Sequence, residues 1–415
     1  MPQEDDFNDI GMSEYPKINL NPLWIAVFTD ILGFSILLPI LPAILTNFNT
    51  NALVIGFLLS INAIFTVIFA PILGKLSDKY GRRPLLLISQ AGTCVGFIIL
   101  AFSTNIWIIF ISRIIDGVFG GNFPIAKAII GDAVPPKKRS IQMTNIGVCH
   151  TLASLAGPAI GGLLSIWGLF APGIFAASLS GLTMIMTIFY IPETWTKEKR
   201  LKLKKERIQQ NVHVKFSIRK NNEAFYLLIQ FGFHTLSFFL YISSISLFAA
   251  VVFGFNAQQI GIYLMISGIF RVVIRFTIFK PILKKLGEIN TLKVGLLSFV
   301  ITFILLGFSR DPVSFMIILI LVSFAASLTR GPFNSLISQS VSPKEQGIVN
   351  GYASSLDSFG QILGPLLGGL ILYIFHPSMI GFTAGIFSLI AFVMIFNAGI
   401  YITIIKSRDR KAKET

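Results

Sequence analysis

Six ionisable side chains stand deep inside apolar sequence: Asp30, Arg113, Asp116, Arg271, Arg330 and Asp357. A carboxylate near a guanidinium in a non-aqueous setting can carry a proton, exchange ion-pair partners or grip a charged solute. A helix rises about 1.5 Å per residue, which puts Asp30 about 12 Å from one end of its apolar run. Arg113 then lies about 11 Å from the opposite end of its own run, so the two differ in depth by ~7 Å, within reach of an arginine if the runs are neighbours. Asp116 follows Arg113 by three positions and shares its helix face. Arg113 therefore has two candidate partners. Protonation of Asp30 would release Arg113 to Asp116, which is the exchange a proton-coupled carrier requires. The alternative is a static buried ion pair.

The second half of the chain has a different balance. Arg271, Arg330 and Asp357 all fall about 12–15 Å from one face by the same rise. If they converge, that half carries net positive charge, which suits an anionic, zwitterionic or amphiphilic solute. Alternatively, the two arginines satisfy Asp357 and backbone carbonyls. Arg275 lies one turn nearer the interface, where it can snorkel, as can Lys127. His150 and His234 also fall inside apolar runs; each reads more simply as a helix contact than as a proton relay.

These side chains need elements to hold them at depth. The chain has 415 residues, 53% hydrophobic and 13% charged, whereas soluble domains are about a quarter charged. Apolar runs fall at 22–45, 52–73, 84–103, 106–131, 141–165, 170–191, 222–248, 258–280, 291–308, 313–338, 347–373 and 378–404. Each can cross a bilayer core of about 30 Å as a helix, the form that satisfies its own backbone in lipid. The fold class is thus an all-α membrane protein, with twelve transmembrane helices in two six-helix bundles. The net charge is +15. Lys and Arg crowd the loops after spans 2, 4, 6, 8 and 10 and the C-terminal tail, while the opposite loops hold Arg310 alone. This asymmetry places both termini in the cytoplasm and directs the basic excess to anionic headgroups, not to nucleic acid. The first residues are acidic and polar, unlike a signal peptide. Cys94 and Cys149 fall inside spans, so neither a disulfide framework nor a metal site is implied.

Residues 193–221 form the one long polar interruption. They divide the chain into a cytoplasmic tail (1–21), a bundle (22–192), a basic linker (193–221), a second bundle (222–404) and a second tail (405–415). The bundles look related. "VPPKKRSIQMTNIGVCHTLASLAGPAIGG" (134–162) matches "VSPKEQGIVNGYASSLDSFGQILGPLLGG" (341–369) without a gap, and the alignment sets His150 on Asp357. Such duplication marks transporters whose sites lie between pseudo-symmetric halves. Both copies carry small residues and a Gly-Pro step: Gly157, Pro158, Gly161 and Gly162 in the first, Gly351, Gly360, Gly364, Pro365, Gly368 and Gly369 in the second. Small residues let helices approach closely, and a Gly-Pro step permits a bend, so both copies can line a gate. The alternative is close packing with no coupling role.

"GKLSDKYGRRPLLL" (74–87) places five charges of both signs between spans 2 and 3. Gly74 and Gly81 offer backbone freedom at a tight turn, and Asp78 stands among Lys75, Lys79, Arg82 and Arg83. A carboxylate there can pair with a guanidinium and hold helix ends together in one conformation, as a latch. Anchoring of the topology explains the cations but not Asp78 or the glycines.

This stretch resembles the span 2–3 signature of the major facilitator superfamily, through Gly74, Leu76, Asp78, Gly81, Arg82 and Arg83. The resemblance covers residues 20–405 and implies the major facilitator fold, with spans 1 and 4 as neighbours. It also implies that the acid and arginines pair with an acid ending span 4, here Asp132. The second-half copy has Glu288 at the acid position and lacks the arginine pair. "DILGFSILLPILP" (30–42) resembles the span 1 pattern of the twelve-span drug:proton antiporters and tetracycline-efflux-like carriers, through Gly33, Pro39 and Pro42. "RIIDGVFGG" (113–121) resembles the span 4 pattern through Arg113 and Gly117, with Asp116 where an amide is usual and Phe119 where glycine is usual. The antiporter glycine pattern of span 5 is partial there and complete in span 11.

The chain thus reads as a secondary transporter of the plasma membrane, monomeric, moving a small organic solute outward against protons, with no cofactor. Alternatives are a facilitator or proton symporter of an anionic or zwitterionic metabolite and, in another class, a transporter-like sensor or receptor. No phosphate-binding loop of a primary pump and no nucleophile–base constellation of an enzyme occurs in the sequence. The charge asymmetry is checked with alkaline phosphatase fusions. A fusion in the loop holding Arg310 is expected to be active, and a fusion after Thr415 inactive.

Overall fold

The computed structural model describes residues 18–195, 221–342 and 345–396. The two tails assigned to 1–21 and 405–415 and the linker assigned to 193–221 therefore lie largely or wholly outside the described residues, as does the end of the last span. Among the described residues there are helices and turns and no strand. The helices are α1 (Asn21–Ser35), α2 (Leu41–Asn47), α3 (Ala52–Tyr80), α4 (Arg82–Ala101), α5 (Ile106–Val118), α6 (Asn122–Ala133) and α7 (Pro136–Leu164). They continue as α8 (Phe170–Tyr190), α9 (Asn222–Phe253), α10 (Ala257–Thr277), α11 (Phe279–Phe308), α12 (Pro312–Gln339), α13 (Gln346–Ile374) and α14 (Met379–Met394). Eleven of the described helical segments are long and apolar enough to cross a membrane, and α14 is a shorter apolar helix.

Local sequence explains where the helices begin and end. Asn105, Asn221, Asn256 and Asp311 cap α5, α9, α10 and α12 by accepting backbone N–H groups of the first turn. Asn256 and Gln259 form a reciprocal capping box. The N–H of Ser314, followed by its hydroxyl and the N–H of Val313, holds the Asp311 carboxyl below the usual carboxylate range. Gly254 ends α9 in the left-handed region at φ 67°.

Two spans are interrupted. Span 1 breaks between α1 and α2 through a short 3-10 turn, Leu38–Ile40, at the Pro39 and Pro42 positions. Span 4 breaks between α5 and α6 at Phe119–Gly121. The stretch 74–80 is no loop, because α3 runs through to Tyr80 and the turn into α4 is Gly81 alone, at φ 119°. That φ explains Gly81. Gly74 lies inside the helix with open space at its Cβ position, so backbone crowding does not account for it.

The described chain packs as two compact units. The first contains residues up to Ile40 and from Ile61 through the N-terminal half. Its apolar core joins α1, α4 and α6 through Leu23, Val27, Leu86, Ile125 and Ile129. The second contains Leu41–Ser60 and the C-terminal half, with a phenylalanine-rich core around Phe248, Phe299, Phe303 and Phe315. The boundary thus departs from the expected bundle at 22–192. Residues 41–60 pack within the second unit because Gly56 lies against Gly369 and the Ser60 hydroxyl donates to the Ile362 carbonyl at 2.7 Å.

The glycine repeat has a packing role in each unit. A Cβ on Gly157 would come within 2.0 Å of Ser35 Oγ, and one on Gly161 within 2.1 Å of the Ile36 carbonyl oxygen. Gly162 is buried beside them in sequence. The Ser35 hydroxyl donates across this seam to the Ala153 carbonyl at 3.1 Å. The second copy repeats the arrangement on α9: Gly360 and Gly364 abut Phe239, and Gly368 abuts Ser244. Pro158 and Pro365 sit inside the continuous helices α7 and α13. Gly351 is the exception; nothing lies within 4 Å of its Cβ position, so it is not part of the seam. At Gly364 an added Cβ would stand 2.6 Å from the Phe239 backbone carbon. Gly364→Ala is therefore expected to destabilise the protein by about 1–3 kcal/mol, whereas Gly351→Ala is tolerated. Melting of both variants in detergent checks the contrast.

Candidate functional site

In the first unit the buried charges meet at the break in span 4. Arg113 is 2% exposed. Its Nη1 lies 3.3 Å from Asp116 Oδ2, its Nη2 donates to Ser112 Oγ at 3.0 Å, and its guanidinium carbon stands 4.8 Å from the Phe97 ring centre. The Phe97 ring fills the space that a Cβ on Gly33 would take, so the span 1 glycine makes room for the ring beneath the arginine. Asp116 also accepts from Asn62 Nδ2 at 3.0 Å, and the same amide reaches the Arg113 carbonyl at 3.1 Å. Close approach of α3 is possible because Gly117 lies against Asn62 and Phe65.

One hydroxyl braces the interrupted backbone beside the turn's own hydrogen bonds, among them the Gly121 N–H to the Phe119 carbonyl at 2.7 Å. Ser89 on α4 donates to the Phe119 carbonyl and accepts the Gly121 N–H at 3.1 Å. The Phe119 ring occupies the space above Gly92, which explains how phenylalanine stands where the resemblance led one to expect glycine. Immediately past the break, Asn122 is 2% exposed and its Nδ2 donates to Asp30 Oδ1 at 3.1 Å.

Asp30 and Arg113 are therefore not paired. Arg113 takes the second of its two candidate partners, Asp116, and Asp30 takes the amide of Asn122. Sequence reading missed Asn62 and Asn122. The only signal was an asparagine inside each apolar run, which carries little weight until a partner is known.

The span 2–3 stretch assembles a second cluster. Arg82 is 8% exposed. Its Nη2 lies 2.6 Å from Asp78 Oδ1, its Nε lies 3.0 Å from Asp132 Oδ2, and its Nη1 donates to Ser77 Oγ at 2.6 Å. Asp78, Arg82 and Asp132 thus come together within the first unit. Arg83 does not join them; it donates instead to the Ile188 carbonyl. Two unforeseen residues complete the cluster. Glu193 accepts the Arg82 N–H at 2.9 Å, the Arg83 N–H at 3.2 Å and the Trp195 N–H at 2.8 Å, which places a carboxylate on the N-terminus of α4. The Trp195 indole donates to the Asp78 carbonyl at 2.8 Å, and its ring lies 4.9 Å from the Arg82 guanidinium carbon. In the second unit Glu288 accepts from Ser335 at 2.8 Å.

Also in the second unit, Arg330 Nη2 lies 2.9 Å from Asp357 Oδ2. Arg271 does not reach Asp357; its guanidinium carbon stands 5.9 Å from the Phe238 ring centre. His234 is 6% exposed and stacks on Phe333. Arg275 Nη1 lies 3.4 Å from the Ser327 carbonyl. His150, the repeat counterpart of Asp357, is exposed beside Ser154.

Helical units with ion pairs and a broken helix at membrane depth are those of a polytopic membrane protein. Comparisons with known proteins place it further. The Major Facilitator Superfamily model matches residues 23–356 and 276–413, and the chain belongs to that family. It is 30% identical to the tetracycline resistance protein, class H, of Pasteurella multocida, over 82% of this chain and 86% of that protein. It is 27% identical to multidrug resistance protein 2 of Bacillus subtilis, over 90% and 92% of the two chains. The fold is that of a solved bacterial homolog of the human lysosomal transporter Spinster, with a TM-score of 0.74 at 14% identity, covering 94% and 97%. The chain is accordingly a multi-pass secondary transporter of the membrane, not an enzyme.

The Glu193 cap yields a prediction. Glu193→Ala removes the acceptor of three backbone N–H groups and is expected to destabilise the protein by about 1–2 kcal/mol. Glu193→Gln, which keeps one acceptor oxygen, is expected to lose less. Thermal unfolding of the purified variants measures both.

Proposed function

We propose that this chain exports a small organic solute across the plasma membrane in exchange for protons, by alternating access of its N-terminal and C-terminal bundles. Both termini lie in the cytoplasm, and the monomer is the working unit. Its basic inner loops rest against anionic headgroups. Its similarity to tetracycline and multidrug resistance proteins supports export of drug-like solutes.

The observation that carries the proton-coupling reading is the pairing of Asp30 with an amide alone. Asn122 Nδ2 donates to the carboxylate, and Asn122 Oδ1 is buried without a hydrogen bond. An asparagine presents a donor and an acceptor on one side chain. Rotated by half a turn, the same amide would accept from a protonated Asp30. Asp30 can thus take or release a proton without stripping Arg113 of its partner, because Arg113 already has Asp116. In the deprotonated state Asp30 competes with Asp116 for Arg113. That competition couples proton occupancy to the position of α1 against the broken span 4. Asp78, Arg82 and Asp132 act as the latch that holds helix ends in one state.

Reconstituted vesicles with an imposed proton gradient test the reading, with tetracycline as the probe. Wild-type protein is expected to move protons on addition of the probe. Asp30→Asn is expected to lose gradient-driven transport by about tenfold or more while retaining counterflow of the probe, since the coupling carboxylate is absent in all states. Transport by Asp30→Asn that matches wild type from about pH 5.5 to about pH 8 would refute the assignment.

A further inference from the structure

The second unit holds charge that proton coupling at Asp30 does not use. Helices α9 to α13 line a partly open cleft, the concave, mostly apolar setting in which small ligands bind. Much of the wall is aromatic: Phe231, Phe238, Phe239 and Phe299 line it. Four titratable side chains line it from four helices, His234 from α9, Arg271 from α10, Arg330 from α12 and Asp357 from α13.

The charges do not balance. Arg330 and Asp357 neutralise each other across 2.9 Å. Arg271 is left over. Among the described residues it makes no ion pair and donates no hydrogen bond, and its near neighbour is the Phe238 ring. Asp357 Oδ1 and His234 Nδ1 are buried at the same cavity and carry no hydrogen bond. A guanidinium without a partner at membrane depth is costly, and so is a buried acceptor left empty. Neither cost is relieved by the protein's own side chains in this state; an anionic ligand relieves the first, and the second as well where it carries a donor.

We propose that this cavity is the seat of an amphiphilic organic anion. Its carboxylate lies on the planar fork of Arg271, which matches two oxygens at once. Its apolar or aromatic body packs among the phenylalanine rings. A hydroxyl or ammonium on the ligand, where present, donates to Asp357 Oδ1. Two guanidiniums facing one carboxylate exclude a simple organic cation. The proposal rests on the exporter reading for the direction in which the ligand travels.

Binding to the detergent-purified full chain tests it without a proton gradient, so failure of proton coupling and failure of this site are read separately. The probes are 2-naphthoate, the neutral 2-naphthalenemethanol and 2-naphthylmethylamine, which share one ring system and differ in charge. 2-Naphthoate is expected to bind tightest and to raise the melting temperature most. Arg271→Gln is expected to weaken 2-naphthoate by about tenfold or more, with little change for the alcohol. Arg271→Lys is expected to fall between, because an ammonium supplies charge without the fork. Phe238→Ala is expected to weaken acid and alcohol alike. If Arg271→Gln melts early, Arg271→Lys carries the comparison. Equal 2-naphthoate affinity in wild type and both Arg271 variants, or tighter binding of the amine than of the acid, overturns the proposal.

Discussion

Hydrocarbon donates and accepts no hydrogen bonds, so every polar group that this chain carries to membrane depth must find its partner inside the protein. The broken span 4 shows what this demands. Its exposed carbonyl at Phe119 and N–H at Gly121 both turn to the one hydroxyl of Ser89 on the neighbouring helix. With the break satisfied, Asn122 is placed at the start of α6 facing Asp30, and Arg113 and Asp116 remain on the preceding piece of helix. A continuous helix would leave Arg113, Asp116 and Asn122 in one register. The interruption gives the two carboxylates different company.

The same constraint separates the two units chemically. In the first, Arg113 has Asp116 as its partner, and the amides of Asn62 and Asn122 donate to the two carboxylates. In the second, one guanidinium and one carboxylate oxygen face a cavity with no protein partner. A transporter has to bind a solute in competition with its own side chains, and unpaired groups in an aromatic cavity favour the solute. Proton chemistry and solute recognition thus draw on different residues.

Close packing lets these arrangements coexist with long helices. The seam of Gly157 and Gly161 against α1 and the seam of Gly360, Gly364 and Gly368 against α9 bring helices within contact, at spacing that an added Cβ would block. Small faces gain little from area burial, since lipid is as apolar as the partner helix. They gain from dispersion between closely matched surfaces. At the turn after α3, rigidity comes instead from charge, where Glu193 sits on the start of α4 and Arg82 spans Asp78 and Asp132.

The sequence by itself determined the helical class, the apolar core of each span and the duplication. Each of these follows from local composition, because a bilayer imposes length and apolarity on any segment that crosses it. The glycine seam was also legible from the repeat, apart from Gly351, whose helix face meets nothing. Only the tertiary structure decided which charge meets which. Arg113 had two carboxylates within reach, and the choice depended on where span 4 breaks and on Asn122 beyond the break. Arg271 could have met Asp357, but Arg330 from a different helix lies nearer. Glu193 and Trp195 sit in a polar stretch with no pattern to mark them, and their role exists only because α8 ends beside the start of α4. Partner choice is a matter of distances between segments far apart in the chain, and spacing along the chain does not encode those distances.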